Sequence, residues 1–119
     1  MVLGLFFNSS AIAHEAGNYA TNDYNSYLGY VHKWLRNSYD YDTKFKVEVF
    51  NRSFEPLDTS LWSSNLDNDT VTLTPGQTVD IKVYTKEKGK YYVCTLSEEV
   101  YNNTTDVFRS RICFRHWYR

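Results

Sequence analysis

The sequence predicts an α+β domain, with an N-terminal amphipathic helix packed on an antiparallel β-sheet or a small β-sandwich. Three observations carry that expectation. Apolar residues recur at spacings of three and four between Tyr24 and Leu35, the period of a helix. From Phe45 onward they alternate with polar residues, the period of strands. The only two cysteines, Cys94 and Cys113, flank a turn-forming segment in a way that defines a hairpin.

The chain opens on a short apolar run, Val2 to Phe7, followed by Ala11-Ile12-Ala13, the small-x-small form cut by signal peptidase. The run is too short to span a bilayer. Residues 1–13 therefore read as the remnant of a bacterial signal peptide, and 14–119 as a single exported domain beginning at His14. Asn22 and Asp23 supply an N-cap and a first-turn anion for a helix from roughly Asp23 to Asn37. Tyr27, Leu28, Val31 and Leu35 would form its buried stripe. Phe45, Val47 and Val49 then mark a strand. Asn51 to Asp69 reads as a long irregular connection or a short edge strand, and Val71-Thr72-Leu73 as another strand. Thr74-Pro75-Gly76-Gln77 fits a type II turn. Val79, Ile81 and Val83 alternate, Lys86 to Gly89 turns, and strands from Tyr91 and from Val107 complete an antiparallel meander. Short strands joined in this way are compatible with an immunoglobulin-like sandwich, an analogy of architecture only.

The register of the last hairpin follows from the cysteines. Opposed residues in an antiparallel pair have a constant index sum, so Cys94 opposite Cys113 centres the turn between Asn103 and Thr104, where Asn tolerates positive φ. A disulfide between neighbouring strands is expected, and with it an oxidising compartment. On the last strand, Phe108, Ile112, Phe114 and Tyr118 share one face. Arg109, Arg111, Arg115, Trp117 and Arg119 share the other with Cys113. Arg109 falls opposite Glu98, whereas Arg111 and Arg115 fall opposite Leu96 and Tyr92.

Composition narrows the function classes. With 119 residues and 42% hydrophobic content the chain can bury one core, and its net charge of −1 argues against general nucleic-acid binding. The eleven tyrosines suit half-buried strands and wet interfaces. No nucleophile elbow, phosphate loop or His-Glu-x-x-His is present, so no catalytic set can be assembled. Asp67-Asn68-Asp69 lacks the glycine and distal glutamate of a calcium loop. No cofactor or metal is called for.

The expectation is a non-enzymatic exported binding protein. Its ligand site would be Arg111, Arg115, Trp117 and Arg119, with guanidinium forks for an anionic group and an indole for stacking. A phosphoinositide or other lipid headgroup, an acidic glycan and an acidic protein surface are the ligand classes that suit it. Such a protein fits a secreted host-interaction or envelope factor. Two alternatives follow from other residues. His14 as a mature terminus, joined by His32 or His116, would make a periplasmic copper site. The tyrosines would serve a structural or inhibitory protein–protein interaction module.

Overall fold

The computed structural model describes residues 14–19, 25–26, 30–99 and 110–119. Nine strands are present among them: β1 (His14–Asn18), β2 (Asn25–Ser26), β3 (Tyr30–Asn37), β4 (Thr43–Asn51), β5 (Trp62–Ser64), β6 (Thr70–Leu73), β7 (Thr78–Thr85), β8 (Gly89–Glu99) and β9 (Arg111–Tyr118). One sheet runs β1-β3-β7-β5 and the other β2-β9-β8-β4-β6, with a core between them. All pairings are antiparallel except the two-residue contact of β2 with β9. The fold is all-β: no α-helix occurs among the described residues, and none there is long and apolar enough to cross a membrane.

The expected helix is thus overturned. Its second half is β3, while Asn22, Asp23, Tyr24, Tyr27 and Leu28 lie outside the described residues, as do residues 1–13, the turn at 102–105 and Arg109. The physical reason is Lys33. Along β3 the inward positions are Val31, Lys33, Leu35 and Asn37, all buried. A lysine in the second of these positions breaks the apolar alternation, so the remaining apolar residues mimic a helical stripe. Burying an amine is unfavourable unless it is partnered. Lys33 Nζ donates to Asn18 Oδ1 at 2.6 Å and lies 3.8 Å from the centroid of the Phe114 ring. Outward-facing Trp34 covers Gly17, where an added Cβ would meet the indole at 2.8 Å.

Strands elsewhere follow the alternation. On β4, Phe45, Val47 and Val49 are buried while Lys44 and Lys46 are exposed. The turn at Thr74–Gln77 forms as its chemistry requires, with Gly76 at φ 81° and Gln77 N donating to Thr74 O. The expected meander does not form as a whole. β7 pairs with β3 and β5, whereas β8 pairs with β4 and β9, so the segment Lys86–Lys88 passes from one sheet to the other. Alternation is the same in a hairpin and in a strand pair split across a sandwich, so it cannot tell the two apart. The connection from Arg52 to Leu61 also crosses between the sheets, delivering β5 to the edge beside β7.

The core draws Val31, Leu35, Ile81 and Val83 from one sheet and Phe45, Val47, Val49, Leu73 and Val93 from the other. Each such side chain contributes roughly 1.5–3 kcal/mol on burial. Leu35 is 0% exposed and its neighbour Arg36 points outward. Leu35→Ala is therefore expected to cost roughly 2–5 kcal/mol and Arg36→Ala under about 0.5 kcal/mol, read from urea midpoints at constant m-value. Similar losses at both positions would contradict the strand assignment.

Candidate functional site

The site is built on the β8–β9 pair. Cys94 lies opposite Cys113, disulfide-bonded to it, with Cα atoms 4.0 Å apart. That short separation belongs to a position where the two residues do not exchange hydrogen bonds. Ser97 N donates to Ser110 O at 2.9 Å, which places the hydrogen-bonded positions at even numbers on β9. The backbone N–H and C=O groups of Arg111, Cys113 and Arg115 therefore look away from β8. On that side β2 covers Trp117 and Tyr118 only. Among the described residues, no strand pairs with Arg111–His116 on that side.

Side-chain parity on β9 sends His116 into the core, with Tyr118 packed against it, and Arg111 and Arg115 to the exposed outer face. The four expected ligand residues are not equivalent. Arg111 Nε donates to Glu48 Oε1 at 2.9 Å, and its guanidinium lies over Phe50. The expectation that Arg111 has no acidic partner is corrected: the partner comes from β4, one strand beyond the hairpin, where hairpin register cannot reach. Trp117 is approached by Lys90 Nζ at 4.6 Å and by the Arg119 guanidinium at 5.3 Å. Arg115 stands opposite Tyr92.

Two concavities meet at Arg115. A groove of about 790 Å³ is lined by Asn18, Phe54, Tyr92, Cys113, Phe114 and Arg115. Because it holds outward Cys113 and Arg115 together with inward Phe114 and Asn18 of β1, it wraps around this side of β9. A smaller pocket of about 180 Å³ is lined by Arg52, Lys90, Tyr91, Tyr92 and Arg115. In the larger groove Phe54 is 44% exposed, stacked on Phe50 at 4.3 Å and set edge-on to Tyr92 at 5.4 Å. Behind the groove, Asn18 and Phe114 are the two residues that hold Lys33.

The three histidines do not converge. His14 is 5% exposed, and both ring nitrogens are engaged, Nδ1 with Ser110 Oγ at 2.6 Å and Nε2 with Thr95 Oγ1 at 3.1 Å. His32 sits on the outer face of the other sheet, beside Tyr19 and Asp80. His116 is buried and stacked with Tyr91. A copper site would require His14 to give up one of these hydrogen bonds, and among the described residues no group of three His, Cys, Asp or Glu is placed to hold a metal.

Arg52, Phe54, Lys90 and Tyr92 were not among the expected site residues, yet a signal existed for three of them. The same index sum that pairs the cysteines sets Lys90 opposite Trp117 and Tyr92 opposite Arg115, extending the basic face onto β8. Asn51-Arg52-Ser53 has the form of an Asx turn, which fixes the direction of Arg52. Nothing in the sequence pattern marks Phe54.

No protein-family model matches the chain, and no curated protein is similar to it in sequence. Solved structures do share its fold. A chain of the Salmonella enterica SafA pilin–SafB chaperone complex superposes with a TM-score of 0.65 at 10% identity, over 86% of this chain and 51% of that one. The E. coli chaperone DraB superposes with a TM-score of 0.61 at 12% identity, over 87% of this chain and 54% of that one. The chain spans about half the length of these structures.

Burial holds the His14 imidazole down to about 4 from its ordinary 6.5, a shift partly offset by a hydrogen bond to the Thr95 backbone. The folded value lies below the unfolded one, so the unfolded chain takes up the proton first as pH falls. His14 thus supports the fold fully above about pH 6.5, and that support is lost as pH falls towards 4. The loss should amount to roughly 3 kcal/mol. His14→Gln should flatten the thermal midpoint against pH across this window, and an unchanged acid slope would show that His14 is not the group responsible.

Proposed function

We propose that this domain is a non-enzymatic protein-binding module that takes an extended, acidic segment of a partner polypeptide as an added strand on the open edge of β9. The observation that carries this reading is the pair of backbone positions at Arg111 and Cys113 that look away from β8, where no strand pairs among the described residues, beside a groove of about 790 Å³. An added strand is held by main-chain hydrogen bonds and selected by pockets for alternate side chains. Lipid headgroups and glycans, which also suit an arginine face, make no use of an unpaired backbone edge, whereas a polypeptide does. The fold shared with a chaperone and with a pilin–chaperone complex supports a protein partner.

Charge selects among polypeptides. A second copy of this chain pairing antiparallel on β9 about Cys113 would set Arg111 against Arg115, a like-charge juxtaposition. An acidic segment relieves that repulsion. Edge strands with inserted cations are also protected against self-pairing, so the same residues favour a foreign strand over aggregation. The disulfide, in a chain with only two cysteines, supports an oxidising compartment as the setting for this module.

The test is selection of peptides from a displayed random library, followed by N-methylation of single backbone amides in the selected sequences. Methylation at alternate positions should weaken binding roughly tenfold or more, since each removes a main-chain bond in a dehydrated setting, while the intervening positions should tolerate it. Peptides that bind with no alternation in their sensitivity, or a library that yields none, would refute strand addition.

A further inference from the structure

The β1-β3-β7-β5 sheet points a set of aromatic side chains away from the core. Along β3 the outward positions are Tyr30, His32, Trp34 and Arg36, and along β7 they are Thr78, Asp80, Lys82 and Tyr84. Register sets Tyr30 opposite Tyr84, His32 opposite Lys82 and Trp34 opposite Asp80. The Tyr30 and Tyr84 rings lie 5.6 Å apart, and Lys82 Nζ lies 5.7 Å from the centroid of the Tyr30 ring. Tyr84 is 41% exposed. Trp34 lies over Gly17 of β1, and the contact needs a glycine, since a Cβ there would stand 2.8 Å from three indole atoms at once. Equal distances to three atoms mean that the face of the indole rests on β1, which turns its other face away from the sheet. Tyr19, 52% exposed, sets its ring 4.4 Å from that of His32. Its hydroxyl donates to one oxygen of Asp80, and His32 Nε2 lies 3.8 Å from the other.

We infer that this face is a stacking platform for an uncharged oligosaccharide chain, with Tyr30, Trp34 and Tyr84 against the apolar faces of the sugar rings and His32, Asp80 and Lys82 among their hydroxyls. Large apolar rings held on the solvent side of a sheet mark an interaction surface. A pyranose ring offers what they fit, with C–H groups on its flat faces and hydroxyls around its rim. Hydroxyls both donate and accept, and the face supplies both: a carboxylate that accepts, an ammonium that donates and tyrosine hydroxyls that do either. Alternate residues of a strand lie about 7 Å apart, so Tyr30, His32 and Trp34 make a row about 13 Å long, which takes linked sugars rather than one. Charge complementarity selects the uncharged kind. Asp80 is engaged by Tyr19 and His32, Glu15 accepts from Ser38 and stands opposite Arg36, and Lys82 lies over Tyr30. A strongly acidic or basic ligand would set its charges against one sign of this mixed row. The same residues disfavour a protein partner, since lysine and aspartate are depleted at the buried centre of protein interfaces. The platform lies on the sheet that does not contain β9, and it stands whether or not a strand is added there.

The test is an NMR amide titration of the full chain with cellohexaose, chitohexaose and maltohexaose in turn. Saturable shifts along β3 and β7 are expected with at least one of them, unchanged by added salt because no charge pairing is gained. Tyr84→Ala should weaken that binding roughly tenfold, as loss of one stacked ring does, and Tyr84→Phe should retain it. Tyr84 is exposed, so both variants leave the core intact. Lys46→Ala, on the outer face of the other sheet, should leave binding unchanged. Absence of saturation with all three sugars overturns the platform. Equal losses with Tyr84→Ala and Tyr84→Phe overturn stacking as its basis. Shifts of the same amides that follow protein concentration, or that appear with the library peptides but with none of the sugars, assign the face to a protein partner and overturn the glycan reading.

Discussion

Everything at the candidate site depends on the register between β8 and β9. Side chains in a strand alternate faces with a period of two, so a slip of one residue would exchange the two faces of β9 completely. His116, now buried, would meet solvent, and Arg111 and Arg115 would enter the core. The Cys94–Cys113 bond excludes that slip covalently. Because the pair occupies a position without exchanged hydrogen bonds, it also decides which amides of β9 face away from β8. One cross-link thus sets the basic face, the apolar face and the direction of the backbone groups together.

The same constraint explains what could be read from the sequence. The hairpin register was legible because two cysteines and an Asn-rich turn point independently to one alignment. The turn at Thr74–Gln77 was legible because proline and glycine leave little choice of backbone. β3 was not, because its alternation passes through Lys33, an inward residue whose partners Asn18 and Phe114 lie on other strands, the second of them near the far end of the chain. Local pattern records the period of a strand only when every inward position is apolar. The Arg111–Glu48 pair was hidden for a related reason, since it spans three strands and register in one hairpin reports on two. The expected ligand residues all lie along β9 or at its end, and the register also sets Lys90 and Tyr92 of β8 beside them, whereas Arg52 and Phe54 required knowing where the turn after β4 lies.

Charge is distributed in a way that net charge conceals. The chain carries a formal −1, yet the outer face of β4, β8 and β9 presents Lys46, Lys90, Arg111 and Arg115 against Glu48. The opposite outer face is mixed, with Tyr30 tilted against Tyr84 and the Tyr19–His32–Asp80 group. Acidic residues such as Asp40, Asp42, Asp58 and Asp67 lie outside the strands. A nearly neutral domain can therefore carry a locally basic patch, felt over distances comparable to the screening length of about 8–10 Å.

The open edge is the central claim, and amide hydrogen exchange on the free protein tests it most directly. If no strand covers the side of β9 away from β8, exchange should alternate along it. Ile112 and Phe114 should be protected by their bonds to β8, and Cys113 should exchange rapidly. Uniform protection from residue 111 to residue 116 would mean that the rest of the chain already covers this edge, and the account would be wrong.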